Sequence, residues 1–417
     1  MEEKTRSLLQ ELFILLSGTL TVMAGATISP ILKEMATFFH EIPNIGLVSQ
    51  LVLSVTSLAI AVGALFIGFI IDKFGRKPVL VTTTVLYAIF GTMGFYILNI
   101  YVILASRIFL GFAVAGIMTS CTTLIGDYYS SEKRNQVLGF QSTLMSFGGA
   151  LFIILGGALG NIAWNYAFLV YFLSLLILPG IIIFIPEPER DFEEENESIK
   201  PGDDAIEKKA GFPIKVGLLS YTLMFLTMVV FFFIPSQFSF YLASFAIESE
   251  LLIGLAIATS GISAGIASFF YKYIKKALDT QLIFIINLIF IGSGFFLLAF
   301  APVFWVVFVG TSLTSLGFGI FMPNINSWLL QHTPNHLRGR VVGLFTTMLY
   351  SGQFVSPLIA ASIIPVINLS GRQGISGLLL IGGIVVFVLL IMPITLLLVN
   401  IIKNKKSIED SIEISEI

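Results

Sequence analysis

Apolar runs of about 20 residues, each long enough to cross the roughly 30 Å hydrocarbon core of a bilayer, recur along nearly the whole chain. In lipid, every backbone N–H and C=O must be paired within the protein, so runs of this length read as helices rather than barrel strands. Composition agrees: 56% of the 417 residues are hydrophobic and 12% are charged, against about 25% charged in soluble domains. The chain therefore reads as an all-α integral membrane protein. The first run, Leu12 to Leu32, is followed by Lys33–Glu34 instead of a small-residue cleavage site, and is read as a span rather than a leader.

Breaks at charged or turn-rich stretches divide the chain into twelve expected spans: 8–32, 45–71, 79–99, 102–126, 137–160, 167–186, 214–242, 251–271, 282–301, 303–331, 341–366 and 375–402. With the N-terminus placed in the cytoplasm, 20 of the 23 Lys and Arg residues fall on the cytoplasmic side, as the positive-inside rule requires. Lys33 and Arg372 fall outside, and Arg107 lies within a span. Both termini are thus expected in the cytoplasm, in a cell (plasma or inner) membrane.

The longest polar stretch, Glu187 to Pro213, separates six spans from six. The expected organisation is a first six-helix bundle at 1–186, a cytoplasmic linker at 187–213, a second bundle at 214–402 and a charged tail at 403–417. The halves echo each other. Glu132 to Gly139 at the start of span 5 answers His336 to Gly343 at the start of span 11, Pro30 answers Pro235, and Leu110-Gly111-Phe112 answers Leu316-Gly317-Phe318, at offsets of 204, 205 and 206. Two pseudo-symmetric bundles of this kind place a substrate site near midplane at their interface.

The sharpest local signal is Gly68-x-x-x-Asp72-x-x-Gly75-Arg76-Lys77, between spans 2 and 3. Gly68 permits close packing, and Gly75 suits a turn with positive φ that ends a helix. Asp72 sits at the end of its helix where the macrodipole disfavours an acid, so it needs an external partner. The pattern reads as a charge-based latch. In a twelve-span chain it resembles the best-known motif of the major facilitator superfamily, and that resemblance implies a conformation-sensitive network of Asp72 and Arg76 with an acid at the end of span 4, here Asp127. The second-half counterpart, Phe269 to Lys276, keeps basic charges but lacks the Asp and Gly pattern.

Arg107 is an ionisable group within a span and by default a functional one, although it stands near enough to the end of span 4 to snorkel. Arg107-x-x-x-Gly111 resembles the superfamily's span-4 motif, which implies a role in proton coupling or substrate binding. Gly148, Gly156-Gly157 and Gly160 in span 5 resemble the antiporter motif of the twelve-span drug–proton antiporters, with Phe152-Ile153 where that family has Gly-Pro. Ile28 to Ala36 resembles a span-1 segment of the same exporters, with Lys33 replacing a proline.

The family implies a cavity lined by spans 1, 4, 7 and 10, where Thr27, Thr119, Gln237, Asn324 and Asn326, with Gln353 on span 11, are the polar candidates. No Asp or Glu falls in the middle third of any expected span, which leaves Asp72, Asp127, Glu34 or Arg107 for any proton coupling and favours neutral, amphipathic or anionic substrates. No nucleotide loop, metal-ligand cluster or nucleophile–base set is present, so enzymatic activity, cofactors and metals are not expected; a net charge of −2 gives no sign of nucleic acid as a partner. The expectation is a monomeric secondary transporter, most readily a proton-coupled exporter of small amphipathic molecules or drugs. The alternatives are an uptake symporter or facilitator for a neutral or anionic metabolite, and a scaffold or sensor that no longer transports.

Overall fold

A computed structural model describes residues 3–129, 131–188, 214–247, 249–334, 337–367 and 371–398. Twelve helices in it are long and apolar enough to cross a membrane: Thr5–Phe38, Ile45–Phe74, Arg76–Tyr96, Ile100–Tyr128, Gln136–Gly160, Trp164–Phe184, Ile214–Ala243, Glu250–Ala277, Thr280–Ala299, Phe304–Gln331, Arg340–Val366 and Gly371–Leu398. They are spans 1 to 12. The face at which span 6 ends and span 7 begins is the linker face; the other is the distal face. Most of the expected linker, and the expected tail from Lys403, lie outside the described residues.

Several helices run past the expected boundaries, for physical reasons. Span 2 continues through Asp72 and Lys73 to Phe74 and stops at Gly75, whose φ of 99° no side chain adopts easily. Span 8 extends to Ala277 with Lys275 and Lys276 in its last turn, where cations complement the helix dipole. Span 1 is not one continuous helix ending at Leu32. It breaks after Ala26, passes through a 3₁₀ turn at Ser29–Ile31 with Pro30 near its start, and resumes at Leu32–Phe38. Span 7 breaks as well, at Phe232 between Ile214–Phe231 and Phe233–Ala243. The two breaks stand one internal-repeat offset apart and meet at the distal face, where Ser29 Oγ donates to the Pro235 carbonyl.

Each half has its own buried apolar core. One is built from residues between Ile14 and Ile185 and takes Phe232 from the other half. The other runs from Tyr221 to Val386 and takes Ala150 and Ile153 from span 5. Among lipid tails, helix association depends on close packing rather than on water, so small residues mark the tightest contacts. A Cβ at Gly156 would stand 2.0 Å from the Thr27 carbonyl oxygen, and one at Gly157 2.4 Å from that of Glu250. Spans 1, 5 and 8 therefore meet backbone to backbone near the distal face.

Candidate functional site

The bonds between the halves are unevenly distributed across the membrane. At the distal face, Asn161 at the end of span 5 exchanges hydrogen bonds with Ser249 and accepts one from the Leu251 amide. Slightly deeper, Gln50 on span 2 and Gln237 on span 7 form a reciprocal amide pair, at 3.3 and 2.9 Å. Near midplane, Ser57 Oγ donates to Gln353 Oε1 at 2.7 Å, and the Tyr350 hydroxyl points at Met118 Sδ at 3.7 Å. Beyond Tyr350, toward the linker face, no hydrogen bond or ion pair joins the halves among the described residues.

On the linker-side ends of spans 2, 4, 5 and 11, a Cβ added at Gly68, Gly126, Gly139 or Gly343 meets nothing within 4 Å. The bundles are closed on the distal side and parted on the linker side. In this state Gly68 packs against nothing, so the close approach read from the sequence is not made here.

The loop after span 2 is held by partners from its own half. Arg76 Nε donates to Asp127 Oδ2 at 3.0 Å, joining spans 3 and 4. Glu187, assigned above to the linker, folds back instead: its two carboxylate oxygens accept from the Arg76 and Lys77 amides at 2.8 and 2.7 Å. These are unpaired N–H groups at a helix start, where an anion is favoured. Lys77 Nζ donates to the Ile182 carbonyl at 2.8 Å, and the Tyr128 hydroxyl to that of Pro186. The end of span 6 is thus tied to the loop. Asp72 is exposed and has no hydrogen bond or ion pair among the described residues.

Arg107 does not snorkel. It is fully buried inside the first bundle, with Nη2 donating to the Gly91 carbonyl at 2.9 Å. Its guanidinium lies 4.7 Å from the Phe168 ring and 5.0 Å from the Tyr171 ring, while Nε and Nη1 have no partner among the described residues. These rings come from the 3₁₀ segment Trp164–Phe172 that opens span 6 and packs mainly on spans 3 and 5 of its own bundle.

The cavity candidates separate. Gln237 and Gln353 sit in the bonds between the halves. Thr27 and Thr119 return their hydroxyls to carbonyls one turn back in their own helices. Asn324 packs within the second bundle, bonded to the Thr280 carbonyl and the Tyr271 hydroxyl. Asn326 Oδ1 is buried without a partner among the described residues. Gln50, Ser57, Tyr350 and Glu187 were not singled out from the sequence. A polar residue in an apolar span was the available signal for the first three; nothing in the chain near Glu187 distinguishes it from the acids that follow.

The family described as Major Facilitator Superfamily matches residues 14–357 and, in a second match, 248–411. The quinolone resistance protein NorA of Staphylococcus aureus is 23% identical over 366 residues, 86% of this chain and 90% of its own. An uncharacterized MFS-type transporter of Methanocaldococcus jannaschii is 23% identical over 354 residues, 83% of this chain and 89% of its own. Among solved structures, the inward-open xylose transporter XylE of E. coli superposes with a TM-score of 0.68 at 15% identity, covering 90% of this chain and 94% of its own. The nucleoside transporter NupG superposes with a TM-score of 0.71, also at 15% identity, covering 93% and 99%. The chain belongs to the Major Facilitator Superfamily and is a multi-pass membrane transporter of small molecules, not an enzyme.

Proposed function

We propose that this transporter works by alternating access as a proton-coupled exporter of small amphipathic molecules, with the linker face in the cytoplasm and in the cytoplasm-open state here. The observation that carries the reading is the one-sided distribution of bonds between the halves. Amide, hydroxyl and backbone contacts close the distal half down to Tyr350, while the linker side is parted and Asp72 is unengaged. Twenty of the 23 basic residues lie on the linker side of the expected topology, which supports a cytoplasmic linker face.

In the opposite state, Asp72 is the natural latch. It is a carboxylate at the unfavourable end of its own helix, free to meet the second bundle once the linker sides close. The Arg76–Asp127 pair and the Glu187 clamp hold the loop rigid for that encounter. Protonation of Asp72 or Asp127 would weaken the latch and so couple the proton to the cycle. The likeness to quinolone resistance proteins supports export. Arg107, off the cleft, supports coupling as a fixed internal charge, not as a direct substrate contact.

The test is proton movement in energised inverted vesicles challenged with amphipathic cations, neutrals and anions. Alkalinisation of the lumen by one class, lost in Asp127→Asn, is the expected result. A solute that equilibrates with no proton signal from any class would assign a facilitator instead.

A further inference from the structure

Spans 2 and 3 are joined by a one-residue turn at Gly75, yet they splay apart, and both pack on span 4. Between them lies an apolar groove of about 590 Å³, walled by Phe66, Ile70 and Phe74 on span 2 and Leu86 on span 3, with Gly63 and Phe112 at its inner end. From Gly63 to Phe74 is eleven residues of helix, or about 16 Å at 1.5 Å per residue. One leaflet of hydrocarbon is about 15 Å deep. The groove therefore runs from the linker face to midplane, the reach of a single acyl chain.

Its mouth carries one uncommitted cation. Of the three basic side chains in the loop, Arg76 is paired with Asp127 and Lys77 with the Ile182 carbonyl. Lys73 is exposed and has no hydrogen bond or ion pair among the described residues; its ammonium stands 5.3 Å from the centre of the Phe74 ring, a wall of the groove. At about 100° per residue, Lys73 lies on the flank of the groove face and Asp72 on the opposite side of the helix. A headgroup at the mouth thus meets a positive charge without the neighbouring carboxylate. Arg76 and Lys77 follow in the chain, and the two acids bonded to them among the described residues, Asp127 on span 4 and Glu187 after span 6, are already engaged.

We infer that this groove is a binding site for an anionic phospholipid of the linker-side leaflet, one acyl chain lying between spans 2 and 3 and the phosphate on Lys73. A lipid held there braces the two spans on either side of Gly75, the turn that carries Asp72 and Arg76.

The test is native mass spectrometry of the detergent-purified protein titrated with phosphatidylglycerol or phosphatidylcholine of identical chains. A single lysine at a membrane surface favours an anionic lipid by about fivefold. The expected result is therefore about a fivefold preference for phosphatidylglycerol in the wild type, kept in Lys73→Arg and lost in Lys73→Gln. Thr82→Trp, which fills the groove from span 3, should weaken binding of both lipids. No preference in the wild type, an undiminished preference in Lys73→Gln, or unchanged binding in Thr82→Trp would overturn the assignment.

Discussion

The amide pair between Gln50 and Gln237 carries a quantitative prediction. Both residues are almost fully buried, 7% and 3% exposed, and each amide donates to and accepts from the other. When the distal face opens, water replaces both bonds, so the pair contributes only to the closed face. A neutral hydrogen bond contributes about 0.5–1.5 kcal/mol net, which puts the pair at about 1–3 kcal/mol. Gln50→Ala or Gln237→Ala leaves the other amide buried and unsatisfied, a cost of about 1–3 kcal/mol in the closed state alone. Either variant should thus move the equilibrium toward a distal-open state by about 5- to 150-fold. The double variant should fall short of the sum of the two by about 1–3 kcal/mol, since the bonds are lost once. Spin labels at Glu41 and Val303, exposed on the distal side of the two halves, report the populations by pulsed electron–electron distance measurement. Unchanged distance distributions in both single variants would refute the assignment of the pair to the gate.

Other substitutions probe the remaining parts. Gly157→Val puts a side chain against the Glu250 backbone, 2.4 Å from Cβ to the carbonyl oxygen, and should hold the distal face open: transport lost in a protein that still elutes as one species on size exclusion. Glu187→Gln removes the anion from the start of span 3 and should slow transport several-fold while leaving membrane insertion intact, as measured by proteoliposome uptake beside surface labelling; a wild-type rate would remove Glu187 from the mechanism. Arg107→Ala forfeits two desolvated ring contacts worth about 2 kcal/mol and the bond to Gly91, and should lower the thermal midpoint more than Arg107→Lys, with transport following the same order. Asp72→Asn should impair cycling without loss of insertion; wild-type transport would end the latch proposal.

Span number and type were legible because lipid leaves the backbone few options, and because runs such as Ile45 to Ile71 have no competing reading. Helix ends were less so, since a charge does not end a helix: Asp72 and Lys73 stay helical until Gly75, and Lys275 is favoured where it stands. The breaks in spans 1 and 7 were half visible, in Pro30 and its repeat counterpart Pro235. Arg107 was legible as a costly group, whereas its depth depends on aromatic rings about 60 residues away in span 6. The gate was the least legible part. Gln50 differs from any lone polar residue in a span only because Gln237 reaches it from 187 positions along the chain. Glu187 was hidden by its own surroundings, one acid among several, until the fold set it against the start of span 3.

The central claim, that the distal contacts must part in every cycle, is tested most directly by tying them together. Ser29→Cys and Pro235→Cys place thiols on the two broken helices where Ser29 Oγ now reaches the Pro235 carbonyl. The double variant in proteoliposomes should transport when reduced, stop when the disulfide forms, and recover when reductant is restored. Full-rate transport by the cross-linked protein would contradict alternating access through this gate.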